Sequence, residues 1–494
     1  MPDAPQPAWA VHLPADERWE DIDLLAGRSI PAVTATWAKL DPHFPILYQD
    51  GCGWLTRGQL QDRSAIVAGR FARAGLRPGD RVLFSATASF PLVVAHLAAL
   101  RSGLVVVPAN TTYQQAELLH MAQDAGVRAA VMERELDADV LVVTPDVELP
   151  DAPPPPLDGQ GPGDPAMICY TSGTTGRSKG APLTHGNLLA GSQAVRLAWR
   201  WQPEDRLVLT LPLFHAHGLL VGLHGTLVAG ASAVLLPRFD PEAVADVVRE
   251  QQATLFFGVP TMYRRIAASP RADELRRLRL CVSGSAPLPA DLHTTLRARI
   301  GQVVLERYGM TETLMLTSNP YDGERRAGTV GLPLPGVEIR LADGLSGEIL
   351  AKGPNVFRGY WGQPATPTNA FEDGWFRTGD IGVLDPDGYL SIVGRAKELI
   401  ITGGLNVYPR EVEDVLLSHP LVADVAVVGL PSDDWGEEVT AFVVPQPGKS
   451  VEAGQLIDFA RRHLAKFKCP RRVRLVESLP RNALGKILRD ELGS

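Results

Sequence analysis

Cysteine is scarce in this chain, with four in 494 residues, and no two of them form a CxxC pair. Cys52, Cys169, Cys281 and Cys469 lie far apart, which argues against a disulfide framework or a cysteine-built zinc site and for scattered buried thiols. Long apolar runs are also missing. Nothing approaches the ~20 residues that a membrane-spanning helix needs. The opening, MPDAPQPAWAVHLPADERWE, is acidic and has neither the basic end nor the apolar stretch of a secretory signal. A continuous basic face is absent too: 48 basic and 56 acidic residues are interleaved, for a net charge of −8. Nucleic acid therefore has no surface to bind. These absences point to a cytoplasmic protein with neither a membrane nor a nucleic-acid partner.

What is present describes a globular enzyme-sized chain. Hydrophobic residues make up 45% and charged residues 21%, and 494 residues exceed what one hydrophobic core serves. Short β-rich runs stand at 81–85 (RVLFS), 104–107 (LVVV), 206–210 (RLVLT), 233–236 (AVLL), 254–257 (TLFF) and 278–282 (LRLCV). Helical stretches such as 241–252 separate several of them. A capping-box pattern at 112–115 (TYQQ) predicts a helix through Met121. Such alternation predicts an α/β fold with largely parallel sheets. A Pro/Gly-rich connector, 151–164 (DAPPPPLDGQGPGD), leads into a Gly-rich loop. Near 394–397 the chain begins a compact C-terminal piece, with strand-like runs at 425–428 and 441–444 and a helix at 455–464. The expected division is 1–394 for a large N-terminal domain of layered sheets and helices, and 395–494 for a small, mobile α+β domain.

The loop 170–180 (YTSGTTGRSKG) is suited to phosphate, since consecutive small residues let backbone N–H groups crowd around phosphate oxygens. It is not a Walker loop. Two residues lie between Gly173 and Gly176 where that motif has four, and Arg177 and Ser178 separate Gly176 from Lys179. A flexible polar turn is the plain alternative. The segment TSGTTGRSKG resembles the phosphate-loop signature of the adenylate-forming superfamily, which includes acyl-CoA synthetases, nonribosomal adenylation domains and luciferases. The segments 308–313 (YGMTET), 374–380 (GWFRTGD), 394–397 (GRAK) and 480–486 (PRNALGK) resemble its other signatures, in the expected order.

That resemblance implies an acid–CoA ligase using ATP, coenzyme A and Mg²⁺, with an acyl-adenylate intermediate. It assigns Lys486, Glu312, Thr311 and His215 to catalysis. Nucleotide binding would fall to Thr171, Ser172, Gly173, Thr174, Thr175, Gly176 and Lys179 in the loop. Ser283, Gly284, Ser285 and Ala286 would lie along the adenine. Glu306, Arg307, Tyr308, Gly309 and Met310, with Asp380 and Arg395, complete that set. Mg²⁺ would meet Glu312 and Thr175, because this ion prefers one or two carboxylates plus phosphate oxygens. Lys397 matches the family's hinge, and Gly403, Gly404 and Leu405 its approach to the CoA thiol. His215 and His217, at i and i+2, also suggest a metal pair, although apolar neighbours and the lack of a third ligand nearby argue against one.

The longer stretch 306–331, with 211–218 (LPLFHAHG) and 258–263 (GVPTMY), resembles malonyl-CoA and methylmalonyl-CoA synthetases. Such a substrate keeps a second carboxylate, and a buried anion requires a cation, ideally an arginine. Arg279 and Arg238 are the candidates, and either could instead be structural; His215 and Met310 would line the acid. Leu316 stands where those relatives tend to carry Asn, which points toward a 2-alkylmalonate or a different acid. A CoA ligase for another carboxylic acid, or an adenylating enzyme that loads a separate carrier protein, are the alternatives.

Overall fold

The computed structural model describes residues 6–157, 159–171, 179–362, 370–403, 405–432, 434–481 and 486–492. The β-rich runs assemble into two mainly parallel sheets in a large N-terminal domain. In the nine-stranded sheet, Pro45–Gln49, Ser232–Leu235, Arg206–Leu209, Leu255–Gly258, Leu280–Ser283 and Leu305–Met310 lie side by side in parallel. Antiparallel strands close both edges. The six-stranded sheet sets Arg81–Ser85 between Val105–Pro108 and Val127–Met132 and ends in the antiparallel pair Pro165–Thr171 and Lys179–Thr184. Interior strands such as Leu255–Gly258 and Leu280–Ser283 are buried at every position. Burial on both faces explains why they read as unbroken apolar runs rather than as alternation.

Local chemistry fixes the helices that cover these sheets. Thr56 and Gln59 form a capping box at the start of Arg57–Arg73, and Thr184 and Asn187 do so for His185–Ala198. The box expected at 112–115 forms two residues later, between Gln114 and Glu117, and the helix runs Gln115–Ala125. Thr112 is drawn away because its N–H and hydroxyl both donate to the Asn110 side chain. The Pro/Gly connector lies against the helix Arg57–Arg73, where Arg70 pairs with Asp151 at 2.7 Å. Among the cysteines, Cys169, Cys281 and Cys469 are buried but Cys52 is exposed, at a turn between two strands, which corrects the expectation for that residue.

A third sheet, antiparallel and five-stranded, was not legible in the sequence. It joins Glu338–Leu341, Ser346–Lys352, Phe371–Glu372, Trp375–Leu384 and Leu390–Arg395. Its last strand ends at Arg395, and a separate hydrophobic core begins at Ile400. That small C-terminal domain packs the helices Pro409–Leu417 and Ala453–His463 on the strands Val422–Ser432 and Gly436–Pro445 through Val412, Leu416, Val425, Val427, Ala441 and Leu456. No helix among the described residues is long and apolar enough to cross a membrane.

Gly331 ties the first and third sheets together through a bridge to Leu390. Its φ is +78°, and a Cβ there would lie 2.1 Å from the Ser318 carbonyl and 2.2 Å from the Asn319 nitrogen. Backbone cannot yield as a side-chain tip can. Gly331→Ala should destabilise the large domain by roughly 3 kcal/mol, combining the left-handed backbone cost with overpacking. A thermal-denaturation scan would show the lowered midpoint.

Candidate active site

In-register parallel pairing brings the carboxyl ends of Leu255–Gly258, Leu280–Ser283 and Leu305–Met310 to one edge, with Gly258 opposite Ser283 and Ser283 opposite Glu306. Ligands of parallel sheets gather at such an edge. The chain then turns back sharply. Met310 pairs with Leu314, Thr313 N–H donates to the Met310 carbonyl at 3.1 Å, and Leu314 takes a φ of +54°. The tip of this hairpin carries Thr311 and Glu312, and the Glu312 carbonyl is fixed by Phe357 N–H at 2.8 Å.

Charged groups from three parts of the chain meet there. Asp380 forms an ion pair with Arg395 at 3.0 Å and accepts the Tyr308 hydroxyl at 2.6 Å. Glu312 accepts the Tyr360 hydroxyl at 2.9 Å, and the Lys179 ammonium stands 5.3 Å from the centre of the Tyr360 ring. Burial pushes the Glu312 carboxyl above its ordinary range, with Arg395 pulling the other way. Lys486, from the small domain, feels Arg395, Glu398, Asp380 and Arg489, and burial lowers its pKa below that of a free lysine. Tyr360 was missed in the sequence because one tyrosine in RGYWG carries no distinguishing pattern.

A second group lies on the other side of the same strands. The Arg307 guanidinium is buried against Gly284, where a Cβ would come within 2.4 Å of it. Its Nε and Nη2 have no hydrogen-bond partner among the described residues, and burial lowers its pKa to about 9. His217, within electrostatic reach of Arg307, shares a 3.3 Å contact between Nδ1 and Ser285 Oγ, and its Nε2 has no partner among the described residues. Ser283, in register with Glu306 on the opposite face, has a buried Oγ with no partner among the described residues. His215 lies beside a cavity that it shares with Asn110, Tyr113, Tyr170, Phe214 and Thr311, and burial lowers its pKa to about 4.

Other expected residues fall elsewhere. Arg279 sits at the opposite end of its strand from Ser283. There it pairs with Asp205 and donates to the Trp199 carbonyl at 3.1 Å and the Arg200 carbonyl at 2.9 Å. With those donors committed, its assignment to the acid is corrected. Arg238 is exposed on the loop after Ser232–Leu235, three strands across the sheet from Leu280–Ser283. Leu316 is fully buried in the main core, away from the cavity at His215. Glu306 is held by Leu288 N–H at 3.0 Å and Gly328 N–H at 3.4 Å, with its pKa raised to about 7 by burial. Thr171 ends its strand opposite Lys179, while Ser285 and Ala286 are exposed and Gly309 and Met310 are half-buried at the hairpin. Lys397 is exposed in the turn Ala396–Glu398. Gly403 and Leu405 are exposed on the small domain, where Gly403 rests on Trp435. Ser172, Gly173, Thr174, Thr175, Gly176 and Gly404 lie outside the described residues.

Family comparison decides what these groups serve. Residues 34–361 match the AMP-binding enzyme family, and residues 411–486 match the AMP-binding enzyme C-terminal domain. The chain belongs to the AMP-binding enzyme family. A feruloyl-CoA synthase of an Amycolatopsis species is 38% identical over 475 residues, covering 92% of this chain and 96% of that protein. A mitochondrial malonate–CoA ligase of Mus musculus is 38% identical over 508 residues, covering 90% and 87%. The solved structure of ATP-bound MatB from Rhodopseudomonas palustris superposes with a TM-score of 0.88 at 40% identity, covering 94% of this chain and 98% of that one. This AMP-binding enzyme is an AMP-forming acid–CoA ligase, dependent on ATP, coenzyme A and Mg²⁺. The residues fit the metal: Glu312 is a buried carboxylate that burial makes costly to ionise, and a divalent cation would offset that cost.

Six buried or half-buried histidines shape the response of this enzyme to acid. His12, His96, His185 and His215 are each lowered to about 4, and His217 and His224 well below the ordinary value, all mainly by burial. His96 and His224 meet ring to ring with Nε2 atoms 2.8 Å apart. Such groups stay neutral when folded, while the unfolded chain takes up protons below the ordinary histidine pKa of 6.5. The unfolded state then binds more protons, so stability is full above pH 6.5 and falls as pH drops toward 4. Each site adds a slope of about 1.4 kcal/mol per pH unit within that window. The melting temperature should therefore fall steadily from pH 6.5 to 4.5. His185→Leu, which removes one titrating ring, should flatten the curve.

Proposed function

We propose that this ligase activates malonate or a 2-alkylmalonate, converting acid, ATP and CoA to the acyl-CoA, AMP and diphosphate. Arg307 carries the proposal. A buried guanidinium packed on Gly284, within electrostatic reach of His217 and with two nitrogens that have no partner among the described residues, calls for an anion. An unpaired buried charge is costly, and a carboxylate answering a guanidinium's fork offsets that cost best. The second carboxylate of a diacid meets this need, in the role first expected of Arg279 and Arg238. MatB and the mouse malonate–CoA ligase support the reading.

Within it, Asp380 holds the ribose hydroxyls, and the 170–180 loop with Lys179 holds the phosphates. Glu312 and Thr175 would hold Mg²⁺, which when bound would draw charge from the phosphate oxygens. Lys486 neutralises charge as a carboxylate oxygen attacks the α-phosphorus and pyrophosphate leaves. The small domain, taken as 395–494, then turns about Lys397 so that Gly403, Gly404 and Leu405 meet the pantetheine thiol, with His215 beside its path. The thiolate attacks the acyl carbonyl and AMP departs. A cytoplasmic setting belongs to the same proposal.

A second reading is a ligase for a monoacid, favoured by the feruloyl-CoA synthase relative and by leucine at 316. Thioester formation across acetate, malonate, methylmalonate, ethylmalonate, succinate and benzoate separates the two. Malonates should react preferentially, and Arg307→Gln should cut kcat/KM for them by about 10- to 100-fold with little change in the KM for ATP. Preference for benzoate or acetate, unaffected by Arg307→Gln, would sink the diacid reading. Product that forms without CoA but on a carrier protein would point to the loading enzyme instead.

A further inference from the structure

The described residues on either side of Lys486, Arg481 before it and Ile487 to Leu492 after it, are fastened to the small domain. On the entering arm, Arg481 Nη2 meets Asp424 Oδ2 at 2.5 Å. Leu488 N–H donates to the Pro480 carbonyl at 2.9 Å, and Arg481 bridges to Ile487, closing the base. Ile487 and Leu492 then pack with Leu479 and Phe442 in a small cluster of their own.

The leaving arm is fastened by Arg489. Its Nη1 and Nη2 engage both oxygens of Glu413 at 2.5 and 3.0 Å, and Nη1 also donates to the Val427 carbonyl at 2.7 Å. Glu413 is buried and accepts Val427 N–H at 2.7 Å, so the pair is locked to the edge strand Val422–Ser432 of the small domain. The remaining nitrogen, Nε, reaches Glu398 Oε2 at 3.1 Å. Glu398 ends the turn Ala396–Glu398 that contains Lys397. One guanidinium therefore joins the Lys486 arm, the core of the small domain and the segment linking the two domains.

We propose that Arg489 is a positioning residue for Lys486, holding its ammonium at the Asp380–Arg395 pair by tying the arm to Glu413 and Glu398. The proposal rests on the reading that Lys486 serves adenylation. A forked, part-buried pair of this kind fixes direction as well as distance, which a lysine cannot reproduce. The plain alternative is that Arg489 only helps the small domain to fold. The two differ in which half-reaction suffers, because a displacement of about 1 Å at a reacting centre can cost roughly 100-fold while leaving binding intact.

The test compares wild type with Arg489→Met, Arg489→Lys and the milder Glu398→Gln, which leaves the Glu413 contacts in place. ATP–pyrophosphate exchange with malonate reads adenylation, and CoA thioester formation from prepared malonyl-adenylate reads the second half. Arg489→Met should slow exchange by about 10- to 100-fold, with KM values for ATP and malonate changed by less than about threefold. Arg489→Lys should recover little of this, and Glu398→Gln should show a smaller loss in the same direction. Thioester formation from the adenylate should be nearly unchanged. Both halves falling together in all three variants, or neither falling, would overturn the proposal. Amide hydrogen exchange without substrates gives an independent reading: residues 486–492 should lose protection in Arg489→Met while Val422–Ser432 keeps it, and unchanged protection would refute the clamp. If wild type shows no exchange with malonate, the substrate reading fails, and hydrogen exchange still decides the role of Arg489.

Discussion

Asp380 is the point on which the arrangement of the site turns. Its two carboxylate oxygens are claimed separately, one by Arg395 and the other by the Tyr308 hydroxyl. Tyr308 belongs to the nine-stranded sheet, Asp380 to the antiparallel third sheet, and Arg395 to the last strand before the small domain. Asp380 and Arg395 are cross-strand partners within that third sheet, so one buried acid registers it, and the strand that leads to the small domain, against the nine-stranded sheet. The Thr378 hydroxyl accepts Asp380 N–H at 3.1 Å and itself donates to the Ile349 carbonyl at 2.9 Å, so the backbone behind the acid is held as well. Burying such a charge is tolerable because its partners are in place before any ligand arrives.

The same economy of position explains the division into two faces. Along Leu305–Met310, neighbouring side chains point to opposite sides, so Tyr308 joins Asp380 while Arg307 turns to Gly284 and His217. Two adjacent residues in one motif therefore serve two neighbourhoods. The first is rich in paired charge; the second holds donors that lack a partner. That contrast is what distinguishes a nucleotide-facing surface from an acid-facing one in the proposed reading.

Much of the fold was legible because the decisive patterns are local. Apolar runs such as TLFF and LRLCV mark strands buried on both faces, and their boundaries moved by only a residue or two. Five signature segments carried the family through resemblance, and Asp380, Arg395, Glu312 and Lys486 do come together. What failed depends on partners distant in sequence. Arg279 looked available until Asp205, 74 residues earlier, was seen to hold it. The third sheet is built from strands such as Glu338–Leu341, half exposed and without an apolar run to announce them. The unpartnered state of Arg307 is a property of packing, invisible in the motif that contains it.

The common edge of the parallel strands also bears on how relatives diverge. Segments that follow Gly258, Ser283 and Met310 come from separate stretches of chain, yet all open on the same crevice. Each can change length or composition without disturbing the apolar strand beneath it, since the strand's burial is satisfied within the sheet. Acid preference and nucleotide handling can then drift independently, one loop at a time. A chain about equally similar to proteins named for feruloyl-CoA and for malonate is what such a modular rim produces. Whole-chain similarity counts mainly the shared scaffold, so it fixes the reaction long before it fixes the acid.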